Sequence, residues 1–125
     1  MNSTTTNNAT LYERLGGESG VRKIVNDILD RNADNPIIGH YFQTVNMENL
    51  KQLVFEFFSM GIGGPHKYSG RDMVTTHTGL NIKEEDFQLA NNDTRLALHE
   101  NGVGEKEINE VITILDSLKD QVVEK

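Results

Sequence analysis

The 125-residue chain contains no cysteine, no tryptophan and only two prolines. Without cysteine there is no disulfide framework, no thiol nucleophile and no cysteine-ligated zinc site. No run of about 18 apolar residues occurs, so the sequence predicts no membrane-spanning segment. The opening residues, MNSTTTNNAT, have neither a basic residue nor an apolar stretch, which argues against a secretory signal and predicts a cytoplasmic location.

Basic residues are also scarce, with 12 Lys and Arg against 19 Asp and Glu, for a net charge of −7. Nucleic-acid backbones and anionic membrane surfaces both attract clustered Lys and Arg. We therefore expect neither nucleic acid nor membrane as a partner. The length suits a single domain over residues 10–125, and the polar composition of residues 1–9 predicts a flexible N-terminal tail.

Apolar residues recur at helical spacing in four segments of the chain. These segments are residues 21–29, 50–58, 87–98 and 108–122. Spacing of i, i+3, i+4 and i+7 is typical of a helix with one buried face, although Thr94 interrupts the third stripe. No segment alternates convincingly as a half-buried strand would. The predicted fold class is therefore all-α.

Local signals indicate where several of these helices begin and end. A short opening helix is expected over Leu11–Leu15, ended by the pair Gly16-Gly17. Asn46 is expected to cap the second stripe, and Asn81 with Glu84 resembles a capping box for the third. After the glycines that follow the second stripe, the chain shows only weak periodicity as far as about Gly79. A long irregular stretch in a small domain is often functional.

Few residues form a recognisable catalytic or metal-binding motif. The four histidines, at positions 40, 66, 77 and 99, form no zinc-binding motif. Ser59 and Ser69 lack the context of a hydrolase nucleophile, and the glycine pairs are not followed by the residues of a phosphate loop. The sequence therefore favours neither a zinc enzyme, nor a hydrolase, nor a P-loop protein.

The order of three motifs is more informative than any one of them. LYERLGG is followed by YF at residues 41–42, and GGPHKYSGRDMVTTHTG at residues 63–79 ends in His77 and Gly79. Over about residues 10–123, the chain resembles the truncated haemoglobins of group I. The resemblance implies a two-over-two helical sandwich with a pocket for non-covalently bound haem b.

The resemblance assigns roles to individual residues. His77 would ligate the haem iron through a neutral imidazole nitrogen, its other ring nitrogen bonding a backbone carbonyl. Phe42 would stack on the porphyrin, and Tyr68 and Arg71 would reach its propionates, although a solvated loop explains Tyr68 and Arg71 at least as well. Candidate apolar walls, each also explicable as ordinary core, are Phe57, Phe58, Met73, Ala90 and Ile112.

The distal side departs from the family pattern. Members often carry Tyr on one helix and Gln, His or Lys on the next, whereas the matching positions here are Leu29, Leu50, Leu53 and Val54. A hydrogen-bond donor would stabilise bound oxygen by about 1–3 kcal/mol. Its absence predicts weaker oxygen binding and faster oxidation of the iron, with carbon monoxide less affected.

Two alternatives would make that pocket polar. A shift of one or two residues in the second stripe would turn Lys51 or Gln52 inward, although it would also turn Leu50 outward. Asp93 or Thr94, in the third stripe, could instead enter the pocket or hold water there. Their neighbours Asn91 and Asn92 are expected on a solvated face.

The resemblance therefore implies a haem protein that reversibly binds a diatomic gas: O2, CO or NO. One alternative is an enzyme on the same scaffold, a nitric oxide dioxygenase or weak peroxidase, served by a reductase partner. Another is a haem-based gas sensor, or a helical binding module without haem, because a fold does not by itself imply a function.

Overall fold

The computed structural model describes residues 9–125. The predicted tail lies outside this range apart from Ala9. The helices of the described part are α1 (Leu11–Arg14), α2 (Gly17–Asp34), a 3-10 helix (Gly39–Phe42), α3 (Met47–Gly61), α4 (Met73–His77), α5 (Glu84–Glu100), α6 (Glu105–Asp116) and α7 (Lys119–Val122). Across residues 9–125 the β structure is limited to one isolated parallel bridge between Ile82 and Val123. The all-α prediction is confirmed.

The core forms where helix α2 packs against α3 and α5, with α5 also packed on α6. All five residues of the first predicted stripe are buried: Val21, Ile24, Val25, Ile28 and Leu29. Phe55 and Phe58 of α3, Leu98 of α5 and Ile108 of α6 join them in one apolar cluster. Helical periodicity therefore identified the faces that meet in the core.

Two of the predicted helix signals are confirmed. Oδ1 of Asn46 accepts a 3.0 Å hydrogen bond from the backbone N–H of Asn49 at the start of α3. Gly16 and Gly17 separate α1 from α2 with φ angles of 106° and 67°. Residues with side chains rarely adopt these left-handed conformations, so the glycine pair permits the sharp change of direction.

The predicted capping box at the start of α5 is wrong. Helix α5 begins after Lys83, whose side chain makes no capping bond. Asn81 instead has a left-handed backbone, with φ of 50°, and its N–H donates to the carbonyl of Lys125. The first turn of α5 contains three acidic residues, Glu84, Glu85 and Asp86. Their charges interact favourably with the positive end of the helix dipole without a side-chain cap.

The regular spacing of the last apolar stripe suggested one continuous helix, but the structure divides the stripe between α6 and α7. Helix α6 ends at Asp116, and the chain turns at Ser117 and Leu118 before α7. The hydroxyl of Ser117 donates to the carbonyl of Ile114. Such local side-chain bonds compete with helical backbone bonds and favour a helix end at this position.

The stretch expected to be irregular contains a short helix, α4. Asp72 caps it, because Oδ1 accepts a 2.7 Å hydrogen bond from the N–H of Thr75.

The prediction of a solvated face on α5 is partly wrong. Asn92 is exposed, but Asn91 is buried and donates a 2.8 Å hydrogen bond to Oδ1 of Asp116 in α6. Burial of its amide is tolerated because a hydrogen-bond partner is present.

Candidate functional site

His77 is the last residue of α4 and is half-buried. Its Nδ1 atom lies 2.8 Å from the backbone carbonyl oxygen of Met73, one helical turn earlier. Because a carbonyl oxygen can only accept a hydrogen bond, Nδ1 must be the protonated nitrogen in this contact. The lone pair of the neutral ring then lies on Nε2. The imidazole therefore has the tautomer and the fixed orientation that suit a metal ligand.

The apolar candidates come from six different elements. Leu29 and Phe58 belong to the buried core cluster, and four further candidates pack against that cluster while remaining half-buried: Phe42, Leu50, Val54 and Ile112. Leu53, Phe57, Met73 and Ala90 are also half-buried. Half-buried apolar side chains keep part of their surface available for another apolar group. This surface suits contact with an apolar group, and the imidazole of His77 has the chemistry of a metal ligand.

Phe57 and Phe58 also line a small apolar cavity of about 20 Å³ at the end of α3. Its other walls include Val111, Ile114 and Leu115 of α6. The two phenylalanines thus meet the face of α6 that was predicted to be apolar.

Tyr68 and Arg71 lie in the loop between α3 and α4. The hydroxyl of Tyr68 donates a 2.6 Å hydrogen bond to the carbonyl of Arg71. The Tyr68 ring also meets Phe57 edge-to-face, with 5.2 Å between ring centroids. The side chain of Arg71 is exposed. The structure thus places Tyr68 against a candidate wall residue and Arg71 at the surface beside it.

Lys51 and Gln52 are the residues that a register shift would have turned into the distal pocket. Both instead pair with charged side chains on α2 and α3. The ammonium group of Lys51 lies 2.8 Å from a carboxylate oxygen of Asp30 on α2. Gln52 accepts a 2.9 Å hydrogen bond from Arg22 and donates a 3.0 Å bond to Glu56. These contacts support the register that predicted an apolar distal side.

Asp93 and Thr94 are buried in α5, but their polar groups have partners within the protein. Oδ2 of Asp93 accepts hydrogen bonds of 3.1 Å from Asn32 and 3.2 Å from Asn35. The hydroxyl of Thr94 donates a 3.0 Å bond to the carbonyl of Ala90. Asp93 therefore joins α5 to the end of α2.

The loop that leads to α4 is tied to α3 by contacts that sequence analysis did not predict. Nδ1 of His66 lies 2.9 Å from the hydroxyl oxygen of buried Ser59. Oε1 of Glu56 accepts hydrogen bonds from both the hydroxyl and the N–H of Ser69, at 2.7 and 3.0 Å. The bond from the Ser69 hydroxyl, followed by those from Gln52 and the Ser69 backbone, lowers the pKa of Glu56 to about 2.

Gly64 explains part of the glycine-rich motif in that loop. A Cβ atom at this position would lie 2.2 Å from the Ser59 hydroxyl oxygen and 2.6 Å from a ring carbon of Tyr12. Its N–H also donates a 2.7 Å hydrogen bond to the carbonyl of Ser59. The close approach of the loop to α3 therefore needs a residue without a side chain.

The chain is similar in sequence to known globins. The sequence model of a family described as bacterial-like globin matches residues 10–124. The group 1 truncated haemoglobin of Tetrahymena pyriformis is 27% identical over 116 residues, covering 93% of this chain and 96% of the relative. The group 1 truncated haemoglobin of a Synechocystis species is 33% identical over 110 residues, covering 85% of this chain and 89% of the relative. The chain belongs to the group 1 truncated haemoglobins.

Solved structures show that this globin has the two-over-two fold. The crystal structure of Tetrahymena pyriformis truncated haemoglobin in its Fe(III) form superimposes with a TM-score of 0.90 at 26% identity, covering 94% of this chain and all of the other. The 2/2 haemoglobin of a Synechococcus species, in the cyanomet state with covalently attached haem, gives a TM-score of 0.83 at 26% identity, covering 90% and 95% of the two chains. In the described part of the globin, no helix is long and apolar enough to cross a membrane.

Proposed function

We propose that this globin binds haem b non-covalently, with His77 as the protein ligand of the iron, and that it reversibly binds a diatomic gas. The observation that carries this proposal is the 2.8 Å contact between Nδ1 of His77 and the carbonyl of Met73, which leaves Nε2 for the metal. Bound haem would supply an iron that can accept O2, CO or NO.

The surrounding residues would hold the porphyrin mainly by apolar contact. Phe42 would stack on it, and the walls would be Phe57, Phe58, Met73, Ala90 and Ile112. All but Phe58 are half-buried, so each has surface to offer a prosthetic group. Tyr68 and Arg71 would bind the propionates, Arg71 by a charge-assisted hydrogen bond. The absence of cysteine excludes attachment of the haem through thioethers.

On the distal side, Leu29, Leu50, Leu53 and Val54 would face the gas. None of these side chains can donate a hydrogen bond. The pairing of Lys51 with Asp30, and of Gln52 with Arg22 and Glu56, supports this assignment. An apolar distal side favours CO relative to O2, because the more polar bound oxygen gains most from a donor. It also favours reversible binding over nitric oxide dioxygenase or peroxidase turnover with a reductase.

Absorption spectra of haem-reconstituted protein in the ferric, ferrous and CO-bound states test the proposal. Wild-type protein should take up one haemin and show the Soret band of a histidine-ligated haem. His77→Gly should lose that ligation, and added imidazole should restore it. His99→Gly is a matched control, since His99 is exposed and pairs with Glu105 at 2.8 Å. Failure of the wild type to bind haemin, or unchanged spectra in His77→Gly, would overturn the proposal.

A further inference from the structure

Helix α4, which ends in His77, is too short for its own hydrogen bonds to hold it in a stable position. Helix α4 has only five residues, and isolated helices shorter than about 12–15 residues are marginal in water. Irregular segments flank it at residues 62–72 and 78–83. Its direction must therefore depend on tertiary contacts, and its main packing partner is α7.

The segment formed by α7 and the three residues after it, residues 119–125, is called here the α7 strap. It holds the chain just after His77 by three backbone hydrogen bonds. The N–H groups of Gly79 and Asn81 both donate to the carbonyl of Lys125, at 3.1 and 3.2 Å. In the opposite direction, the N–H of Glu124 donates to the carbonyl of Ile82 at 2.8 Å. These bonds surround the bridge between Ile82 and Val123.

Side-chain burial and backbone conformation both indicate that this contact is specific. Val122 is buried, although it lies in a four-residue helix. Asn81 and Glu124 have φ angles of 50° and 58°, and no other non-glycine residue between 9 and 125 has a positive φ. One precedes Ile82 and the other follows Val123, so both lie at the bridge. Such costly conformations persist only where the surrounding structure determines them strongly.

We propose that the α7 strap is a positioning element for His77. It anchors the backbone two to five residues beyond the histidine, and so fixes the end of α4 from which the imidazole projects. This inference rests on the proposed role of His77 as the iron ligand. It assigns part of the proximal geometry to residues 119–125, far from the glycine-rich motif that identifies the histidine.

A pair of substitutions at Glu124 tests the proposal. Glu124→Pro removes the N–H that donates to Ile82 and cannot adopt a φ of 58°, because proline fixes φ near −65°. Glu124→Gly removes the same carboxylate but keeps the N–H and adopts this φ readily. Any difference between the two variants therefore reports on the backbone of the strap.

Hydrogen exchange of the haem-free proteins gives a readout that needs no haem. The amides of Gly79, Asn81, Thr76 and Thr78 should exchange at least about tenfold faster in Glu124→Pro than in Glu124→Gly, because local opening exposes them to solvent. Amides in the core of α2 should exchange alike in both variants. If Glu124→Pro unfolds globally, the milder Val122→Ala is compared with wild type in the same way. Equal exchange in α4 and residues 78–82 would overturn the proposal.

Resonance Raman spectra of the reconstituted ferrous proteins test the effect on His77 itself. The iron–histidine stretching band should shift or broaden in Glu124→Pro and match wild type in Glu124→Gly. If exchange differs but both variants keep the wild-type band, the strap stabilises α4 without positioning the histidine, and the proposal is wrong. If the wild type binds no haemin, the proposed function fails, while the exchange comparison still decides whether the strap holds α4.

Discussion

The phenolic hydroxyl of Tyr41 donates a 2.7 Å hydrogen bond to Oδ2 of Asp86. This contact joins the 3-10 helix, which ends in Phe42, to the first turn of α5. It therefore restrains the segment whose phenylalanine is proposed to stack on the porphyrin. Burial, followed by the bond to Asp86, raises the pKa of Tyr41 above its ordinary value.

Tyr41→Phe should lower the free energy of unfolding by about 1 kcal/mol, the usual net contribution of one hydrogen bond. Urea denaturation of the haem-free protein measures this at neutral pH. Asp86→Asn is the control, since its amide oxygen can still accept the bond, and it should cost less. Equal stability of wild type and Tyr41→Phe would show that the contact contributes nothing.

The same pair predicts a dependence on alkaline pH. The pKa of Tyr41 is higher in the folded protein than in the unfolded chain, where it is about 10. The stabilisation of the fold by Tyr41 is therefore fully present below about pH 10 and is lost as pH rises through the pKa of the folded protein. The stability difference between wild type and Tyr41→Phe should therefore shrink above about pH 10. A difference that grew in this range would contradict the direction of the shift.

Glu56 predicts that the free energy of unfolding falls at acid pH. Its pKa is about 2 in the folded protein, below the ordinary glutamate value of 4.5, so the stabilisation that it provides is present above about pH 4.5 and is lost as pH falls towards 2. Titration of the Glu56 carboxyl carbon by NMR measures this directly. Ser69→Ala should raise the midpoint, because the Ser69 hydroxyl provides the largest stabilisation of the carboxylate. A wild-type midpoint at the ordinary glutamate value would show that the bonds to Ser69 are not made in solution.

Val54→Gln should introduce a donor on the proposed distal side. A hydrogen bond of about 1–3 kcal/mol would slow O2 dissociation roughly 5- to 150-fold, and it should change CO dissociation much less. Stopped-flow measurements on the reconstituted ferrous protein follow both rates. Val54→Leu controls for the added volume without adding a donor. Equal effects of Gln and Leu on O2 would indicate that residue 54 does not face the gas.

Gly64→Ala should destabilise the fold by about 1–3 kcal/mol, because the new methyl group overlaps Ser59 and Tyr12. Gly61→Ala is the matched control, since a Cβ at residue 61 meets nothing within 4 Å and the backbone is helical. It should be neutral or stabilising by up to about 1 kcal/mol. Thermal denaturation of both variants tests the difference, and similar losses would mean that the loop does not approach α3 closely.

Much of the fold was readable from local patterns. The apolar stripe from Val21 to Leu29 predicted a buried helix face, and Asn46 predicted the start of α3, because both signals depend only on nearby residues. The order of the motifs from LYERLGG to the glycine-rich segment before His77 indicated the family, and the resemblance then indicated the candidate iron ligand. Periodicity failed at Ser117, because the apolar spacing alone predicted that the helix would continue there. The hydroxyl of Ser117 instead donates a hydrogen bond to the carbonyl of Ile114, and the helix ends.

Contacts between distant residues needed the folded chain. Arg14 pairs with Glu107 at 2.6 Å and Glu110 at 2.8 Å, although more than 90 residues separate them in the sequence. The hydrogen bond from Tyr41 to Asp86 also joins segments that are distant in the sequence, and so do the backbone hydrogen bonds between the α7 strap and residues 79–82. An amino-acid pattern encodes which face of a helix is apolar. Which charged or polar groups then meet depends on how the helices are packed, and that packing also holds the short helix carrying His77.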